Sequence, residues 1–479
     1  MSTEKKHWSK KKRFYASIFI LIFFLLLTYH QYKPLPDGVS YEGEEHQAEA
    51  VSFYRDLTYS KDDETEVDQE IFDRVAEVIE EAEEFVIIDM FLFDGRVNEE
   101  KGYPDLTENL TDQLVEKKRQ YPDMPIVFIT DPVNTGYYSY ENEWLDSMEE
   151  EGIEVVFTNL DPLRDPTPLF STAWRMGLQW FGQRGQGWLP NAFVEDGPNM
   201  TARSYLMMGN VKANHRKAVI TEKSGMVLSA NAHRESGFHS NVAYEVSGPV
   251  IQDMINAEQA VLNFSDSSIQ LPSYSSSDNH QSNITVQYTT EGKTWEKSLE
   301  AIAQTKPGDE IWMAMFYLSE RDIITELIDA AEREVEVFLI LDPNETAFGN
   351  NKSGLPNRPV VNELLEGDAE GINVRWYEVR EEQFHPKMLM IKSGNEGQII
   401  SGSTNFTKRN LADYNLENNI IIKAPMDAEV MKDTDVYLRD LWTNENGFYT
   451  VESDKYQDTL SFWQRGVYYI QKILGLTTY

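Results

Sequence analysis

The sequence predicts an α/β protein made of two repeated sandwich domains that share one site at their interface, behind an N-terminal transmembrane helix. Three observations carry this. Apolar runs of about eight residues alternate with stretches of helical spacing, the alternation occurs twice with the same landmarks in the same order, and an uncharged segment, Phe14 to Tyr32, follows a basic tail. Strands buried on both faces read as continuous apolar runs, and strands alternating with helices give a sheet covered on both sides. The 479 residues suit two or three domains at roughly 150 each. With 41% hydrophobic and 12% aromatic residues, a wholly disordered chain is excluded.

Residues 1–13 carry six Lys or Arg against Glu4 alone, a basic tail expected to stay cytoplasmic. The 19 residues 14–32 contain no Asp, Glu, Lys or Arg, and as a helix would reach about 28 Å, close to the thickness of a bilayer's hydrocarbon. No small-residue cleavage site follows, since 27–32 read Leu-Thr-Tyr-His-Gln-Tyr, so an uncleaved single-pass anchor is expected and the body is placed outside the cytoplasm. Residues 33–50 read as a juxtamembrane linker.

The first domain is expected over 51–264 and the second over 284–450, joined by a polar, serine-rich linker at 265–283. Copy one sets a helix (70–84) before the apolar run Val86 to Phe93; copy two sets 299–305 before Ile311 to Leu318. A second strand in each ends on the same dipeptide, Asp131-Pro132 and Asp342-Pro343. A third follows the Gly of Glu151-Gly152 or Glu370-Gly371. Residues 451–479 read as a C-terminal amphipathic helix.

The repeat also carries chemistry. Copy one reaches His215-Arg216-Lys217 and copy two His385-Pro386-Lys387, and of eight histidines these two alone sit in His-x-Lys. On a strand, positions two apart share a face, so each motif sets an imidazole beside an ammonium. Downstream come Ser229-Ala230-Asn231 and Gly402-Ser403-Thr404-Asn405, small-residue turns able to hold phosphate oxygens. Asn241 and Glu245 follow in copy one, Asn415 and Glu417 in copy two. A carboxylate on one imidazole nitrogen fixes the tautomer and leaves the other nitrogen free. Together these groups suggest one composite site for a phosphodiester, with no metal or cofactor required.

These motifs resemble the signature of the phospholipase D superfamily: His-x-Lys, four residues, Asp, then Gly-Ser-x-Asn, present twice. The resemblance covers roughly residues 50–450. Copy two keeps its turn intact, whereas copy one reads Leu228-Ser229-Ala230-Asn231, and the signature's acid is Glu222 in copy one and Lys392 in copy two. The resemblance implies a two-step displacement through a phosphohistidine. It assigns attack to His215 and acid/base duty to His385, charge stabilisation to Lys217, Lys387, Asn231, Ser403 and Asn405, and imidazole orientation to Glu245 and Glu417. It implies a membrane-anchored phosphodiesterase that cleaves or transfers phospholipid headgroups. The alternatives are a phosphatidyltransferase like cardiolipin synthase, a nuclease, or a catalytically silent lipid-binding homologue. His233 and His239 read as loop residues rather than catalytic ones.

Eighty acidic against 43 basic residues give a net charge of −37, which argues against duplex nucleic acid as a partner. The absence of cysteine excludes disulfides, thiolate zinc sites and a cysteine nucleophile. His215 follows Gly152 by 63 residues but His385 follows Gly371 by 14, which marks an insertion in copy one (160–208). Within it, 166–194 holds no acid and is rich in aromatic residues. Trp174, Trp180 and Trp188 are expected to bind substrate there, as a lid or a membrane-interface loop, with an extra patch of core as the competing reading. A phospholipid membrane is the expected partner and a monomer the expected state.

Overall fold

The structure is a computed structural model and describes residues 2–97, 102–181, 187–194, 196–275, 282–347, 350–351, 354–366, 370–456 and 466. It holds two large mixed sheets of seven equivalent strands in the same order. In the first half the order is Val51–Lys61, Asn241–Val246, Gly225–Leu228, Lys217–Thr221, Val86–Met90, Ile126–Thr130 and Glu154–Phe157. The second half runs Thr285–Thr290, Asn418–Pro425, Glu396–Gly402, Lys387–Ser393, Glu310–Met315, Glu336–Leu341 and Ile372–Tyr377. The repeat seen in the sequence is thus a repeat of topology. Glu64–Gln69 extends the first sheet, and His46–Gln47 and Thr450–Glu452 extend the second.

The apolar runs form strands because both their faces are covered. All five residues of Val86–Met90 are buried, and a helix on the outer side, Ile71–Glu81, turns Ile71, Val75, Val78 and Ile79 onto them. The three apolar-run strands of each half run parallel, but the two His-x-Lys strands pair antiparallel with them, Lys217 opposite Met90 and Lys387 opposite Met315. The carboxyl ends of the parallel strands and the entrance to each His-x-Lys strand therefore lie at the same edge, and the site forms there.

The two sheets face each other across a shared core. It joins Ile87, Ile220 and Tyr244 of the first sheet to Trp312, Met390 and Ile420 of the second. Met254 and Ile255 of helix Val250–Phe264 and Tyr437 and Leu438 of helix Glu429–Thr443 lie between them. A common apolar core of this kind fixes the halves as one unit.

Three expectations are corrected. The stretch 33–50 is no free linker, because His46–Gln47 pairs with Thr285–Val286 and Ala48 N donates to Ile284 O (3.0 Å). No helix begins at 451: Thr450–Glu452 pairs with the strand ending at Tyr377, and a 3-10 turn follows at Ser453–Tyr456. The rest of that expected helix, apart from residue 466, lies outside the described residues, as does 276–281 of the expected linker. The helix of copy two begins at Glu291 and ends at Ala303, earlier than the apolar spacing suggested.

Candidate functional site at the junction of the halves

The two halves meet through paired backbone contacts around the histidines. His215 N donates to Leu416 O (2.9 Å) and Leu416 N to Ala213 O (3.0 Å); His385 N donates to Ser240 O (2.8 Å) and Ser240 N to Gln383 O (3.0 Å). Each histidine is thus stitched to the opposite half, just ahead of the strand that supplies its side-chain partner. The Asp of each Asp-Pro dipeptide explains its recurrence: Asp131 Oδ2 accepts from Asn214 N (2.7 Å) and Asp342 Oδ2 from Phe384 N (2.8 Å), which hold the residue before each histidine.

The side-chain partners cross over as well. His215 Nδ1 lies 2.9 Å from Glu417 Oε2, and His385 Nδ1 lies 3.1 Å from Asn241 Oδ1. Each acceptor is held by the serine of its own turn, Ser403 Oγ on Glu417 Oε2 (2.5 Å) and Ser229 Oγ on Asn241 Oδ1 (3.1 Å). Acceptors on both Nδ1 atoms place the proton there and leave Nε2 with its lone pair. Each lysine turns back on its own histidine, Lys217 Nζ to His215 O (2.8 Å) and Lys387 Nζ to His385 O (2.6 Å), and each imidazole packs on a phenylalanine, Phe91 or Phe316.

Both histidines, Asn231 and Asn405 line one cavity of about 270 Å³. Its walls are apolar where Phe91, Val133, Phe193, Val194, Met208 and Phe316 face it, and Arg409, His233 and His239 also reach it. Asn405 Oδ1 and Arg409 Nε are buried without a hydrogen-bond partner. His239 Nδ1 accepts from Gln383 N (3.2 Å), as Asn415 Oδ1 accepts from Ala213 N (3.1 Å) in the matching place.

Burial dominates the electrostatics. It lowers His215 to about 4, against the pull of Glu417, and Lys217 to about 7, against Glu417 and Asp89. His385 and Lys387 fall well below their ordinary values through burial, then through the neighbouring cations. Burial alone would raise Glu417, yet His215, Lys217 and the Ser403 hydrogen bond hold it below the usual carboxylate range. Cations crowded into an apolar pocket are stabilised by an anion that enters it.

Several expected residues lie elsewhere. Glu245 is not at either imidazole: it pairs with Arg74 (Nε to Oε2, 2.9 Å) and accepts from Tyr54 (3.0 Å), because it sits four residues along the strand from Asn241, beyond reach of the site edge. Asn241 stands where Glu417 stands in the other half. The Ser403 hydroxyl points to Glu417 rather than into the cavity. Trp174 is buried, with Arg203 over its ring, whereas Trp180 and Trp188 are exposed, and none of the three lines the cavity; Phe193 and Val194 of the same insertion do.

The altered signature acids lie at the far end of the strands. Glu222 accepts from the backbone N–H groups of Glu83 (2.7 Å) and Glu84 (3.0 Å). Lys392 pairs with Asp435 and with Glu310 (3.3 Å). Seven residues of strand, roughly 23 Å, separate Lys392 from His385, so its reversed charge is answered by local acids and does not reach the cavity.

Sequence reasoning passed over the buried support of Glu417. Arg216 Nη2 pairs with Glu291 Oε1 (2.8 Å), and Glu291 Oε1 accepts from Glu417 N (2.9 Å). The one available signal was an arginine between the histidine and the lysine of the motif, where copy two has Pro386.

Residues 299–442 match the family model described as "Cardiolipin synthase, PLD-like domain". The crystal structure of phosphatidylserine synthase from Haemophilus influenzae Rd KW20 aligns over 90% of this chain and 94% of its own, with a TM-score of 0.58 at 11% identity. Polyphosphate kinase from Porphyromonas gingivalis aligns over 89% and 53% at TM-score 0.44 and 11% identity. The phospholipase D family member Nuc from Salmonella typhimurium aligns over 35% and 97% at TM-score 0.27 and 21% identity. No curated protein sequence matches the chain.

Proposed function

We propose that the chain is a member of the phospholipase D superfamily and a membrane-anchored phospholipid phosphodiesterase that works through a phosphohistidine; the family match over 299–442 and the fold it shares with phosphatidylserine synthase support this reading. The observation that carries the reading is the pair of imidazoles, each with Nε2 free, in one cavity closed by both halves. His215 Nε2 attacks phosphorus and the bond to the leaving oxygen breaks, while His385, protonated when the anionic phosphodiester enters, gives its proton to that oxygen. Glu417 offsets the positive charge on the phosphorylated ring of His215; Asn241, a neutral amide, leaves His385 free to gain and lose its proton. His385 then takes a proton from the acceptor, water or an alcohol, whose oxygen displaces His215 from phosphorus. Lys217, Lys387, Asn231 and Asn405 hold the non-bridging oxygens, whose charge grows in each step. No metal ion is required by this donor set.

The apolar walls favour a lipid over a polar substrate, and the helix Lys10–Tyr32, long and apolar enough to cross a membrane, keeps the enzyme at its substrate. The basic tail supports an orientation with the N-terminus in the cytoplasm and the body outside. Transfer to a lipid alcohol is the second reading, favoured by the family model's description. The test is phosphorus-detected product analysis on a phospholipid panel with and without glycerol, with intact-mass trapping of the intermediate. His385→Ala should accumulate a phosphatidyl adduct on His215, with turnover lowered by about 10²- to 10⁴-fold. A folded enzyme that releases or exchanges no headgroup on any phospholipid would refute the proposal.

A further inference from the structure

The insertion in the first half lends Phe193, Val194 and Met208 to the cavity wall and buries Leu160, Leu163, Trp174 and Met200, but four of its large apolar side chains face outward. Leu169 is 54% exposed, Trp180 75%, Phe181 73% and Trp188 72%, and among the described residues the last three exceed every other exposed large apolar side chain outside the N-terminal helix. A patch of core would bury them. The same segment lies against the anchor helix: helix Pro168–Met176 packs on helix Ser2–Tyr32. Asp165 N donates to His30 O (3.1 Å), Arg164 Nε to Lys33 O (2.9 Å) and Lys33 Nζ to Asp161 O (3.0 Å).

We propose that the insertion is a second membrane contact. Its outward face, Leu169, Trp180, Phe181 and Trp188, sits at the boundary of headgroups and acyl chains in the bilayer the anchor crosses, and so holds the cavity at headgroup level. The proposal rests on the anchor reading above. Continuity favours a bilayer over a protein partner, because the patch adjoins the one described helix built to cross a membrane. Charge favours it too. In a chain of net charge −37, residues 166–194 contain no Asp or Glu, so anionic headgroups meet no repulsion from the segment's own side chains. Tryptophan is the side chain that gains most at such a boundary.

The contact is also tied to the site. Asp165 takes both Arg175 Nη2 of the insertion helix (2.9 Å) and Lys212 Nζ (2.6 Å), and Lys212 lines the cavity three residues before His215. Anchor, insertion and the approach to the His215 strand are thus joined through one buried residue, Asp165, its N–H on the anchor and its carboxylate on the other two, which gives the cavity a fixed height above the membrane.

The chain has no cysteine, so single cysteines label cleanly. Leu169→Cys, Phe181→Cys and, as the anchor reference, Leu25→Cys would carry an environment-sensitive fluorophore in the full-length protein. The protein would be reconstituted in vesicles of phosphatidylcholine and phosphatidylglycerol with nitroxide lipids of graded depth. Labels at 169 and 181 should be quenched most by shallow nitroxides and the label at 25 by deep ones. Quenching at 25 with 169 and 181 open to aqueous iodide would overturn the inference and leave the anchor standing. No quenching at any site would remove both. Shielding of 169 and 181 that grows with protein concentration in the absence of lipid would assign the face to a second copy instead. The double variant Leu169→Ser/Phe181→Ser should slow turnover of vesicle phospholipid about tenfold while its rate on a monomeric short-chain phospholipid stays at the parent value. Equal rates on vesicles, or equal losses on both substrates, would contradict a positioning role.

Discussion

The two halves exchange partners at the site, but they do not exchange equal ones. The first half's His215 receives a carboxylate, Glu417, backed by Ser403, Asn410 and the buried Arg216–Glu291 pair, whereas the second half's His385 receives only the amide of Asn241, backed by Ser229. Topology, turns and backbone stitching repeat; charge does not. The difference suggests how a duplicated fold can give two chemically distinct imidazoles: it keeps the geometry of both and changes one acceptor, so that one ring is suited to carry a lasting positive charge and the other to pass a proton.

Breaking the charged side should cost most. Glu417→Gln keeps the shape but presents an amide to His215, and we expect kcat on phospholipid to fall about 10⁴-fold, the scale seen when a buried carboxylate that orients a catalytic imidazole becomes an amide. Asn241→Ala should cost only about tenfold, since a neutral hydrogen bond is lost. Asn241→Asp sharpens the comparison: a carboxylate there favours the imidazolium, so His385 should move up from its depressed value, which histidine resonances in a pH titration would report. Equal losses for Glu417→Gln and Asn241→Ala would mean that the two halves work alike.

The next effect concerns the lysines. Burial lowers Lys217 to about 7, so it is protonated below that pH and loses its charge above it. An oxyanion bound by the charged form should therefore bind best below pH 7 and more weakly as pH rises through it, by up to about tenfold per unit for one proton. Sulfate, a dianion throughout pH 6 to 8, is a suitable probe in calorimetry. Lys217→Gln should bind it more weakly with a flatter pH dependence. An unchanged slope would transfer the titration to another group.

How much of this was legible in the sequence follows from what each signal encodes. Buried strands and the two His-x-Lys motifs announce themselves, because burial on two faces forces apolar runs and the motif departs from them. The partners of the imidazoles did not, because they cross between halves. Within copy one, Glu245 is the carboxylate on the strand after the turn, but the residue that takes the place of Glu417 is the amide of Asn241 four positions earlier on that strand. Ser403 looked like a phosphate ligand because a small-residue turn has the same spelling whether its hydroxyl faces a ligand or a carboxylate. The tryptophans were noticed for their composition, but composition carries no direction. The structure separates them: Trp174 is buried, whereas Trp180 and Trp188 are exposed on a segment whose helix Pro168–Met176 packs on the N-terminal apolar helix.

The smallest effect on catalysis is expected at the ends of the strands away from the site, where the halves depart from the family signature in opposite directions. Glu222 in the first half receives backbone N–H groups, and Lys392 in the second lies between Glu310 and Asp435. Lys392→Asp would restore the signature's acid, yet it would set a third carboxylate beside two others, with Arg439 left as the cation in contact with them. Stability should fall by about 1–3 kcal/mol in chemical denaturation while kcat remains within twofold. Glu222→Ala should lose about 1 kcal/mol through its unpaired N–H groups, again with kcat unchanged. A gain of activity in Lys392→Asp would show that the reversed charge reaches the cavity after all, and that the second half is held back by its lysine; a loss of stability alone would show that Glu310 and Asp435 have adapted the strand end to it.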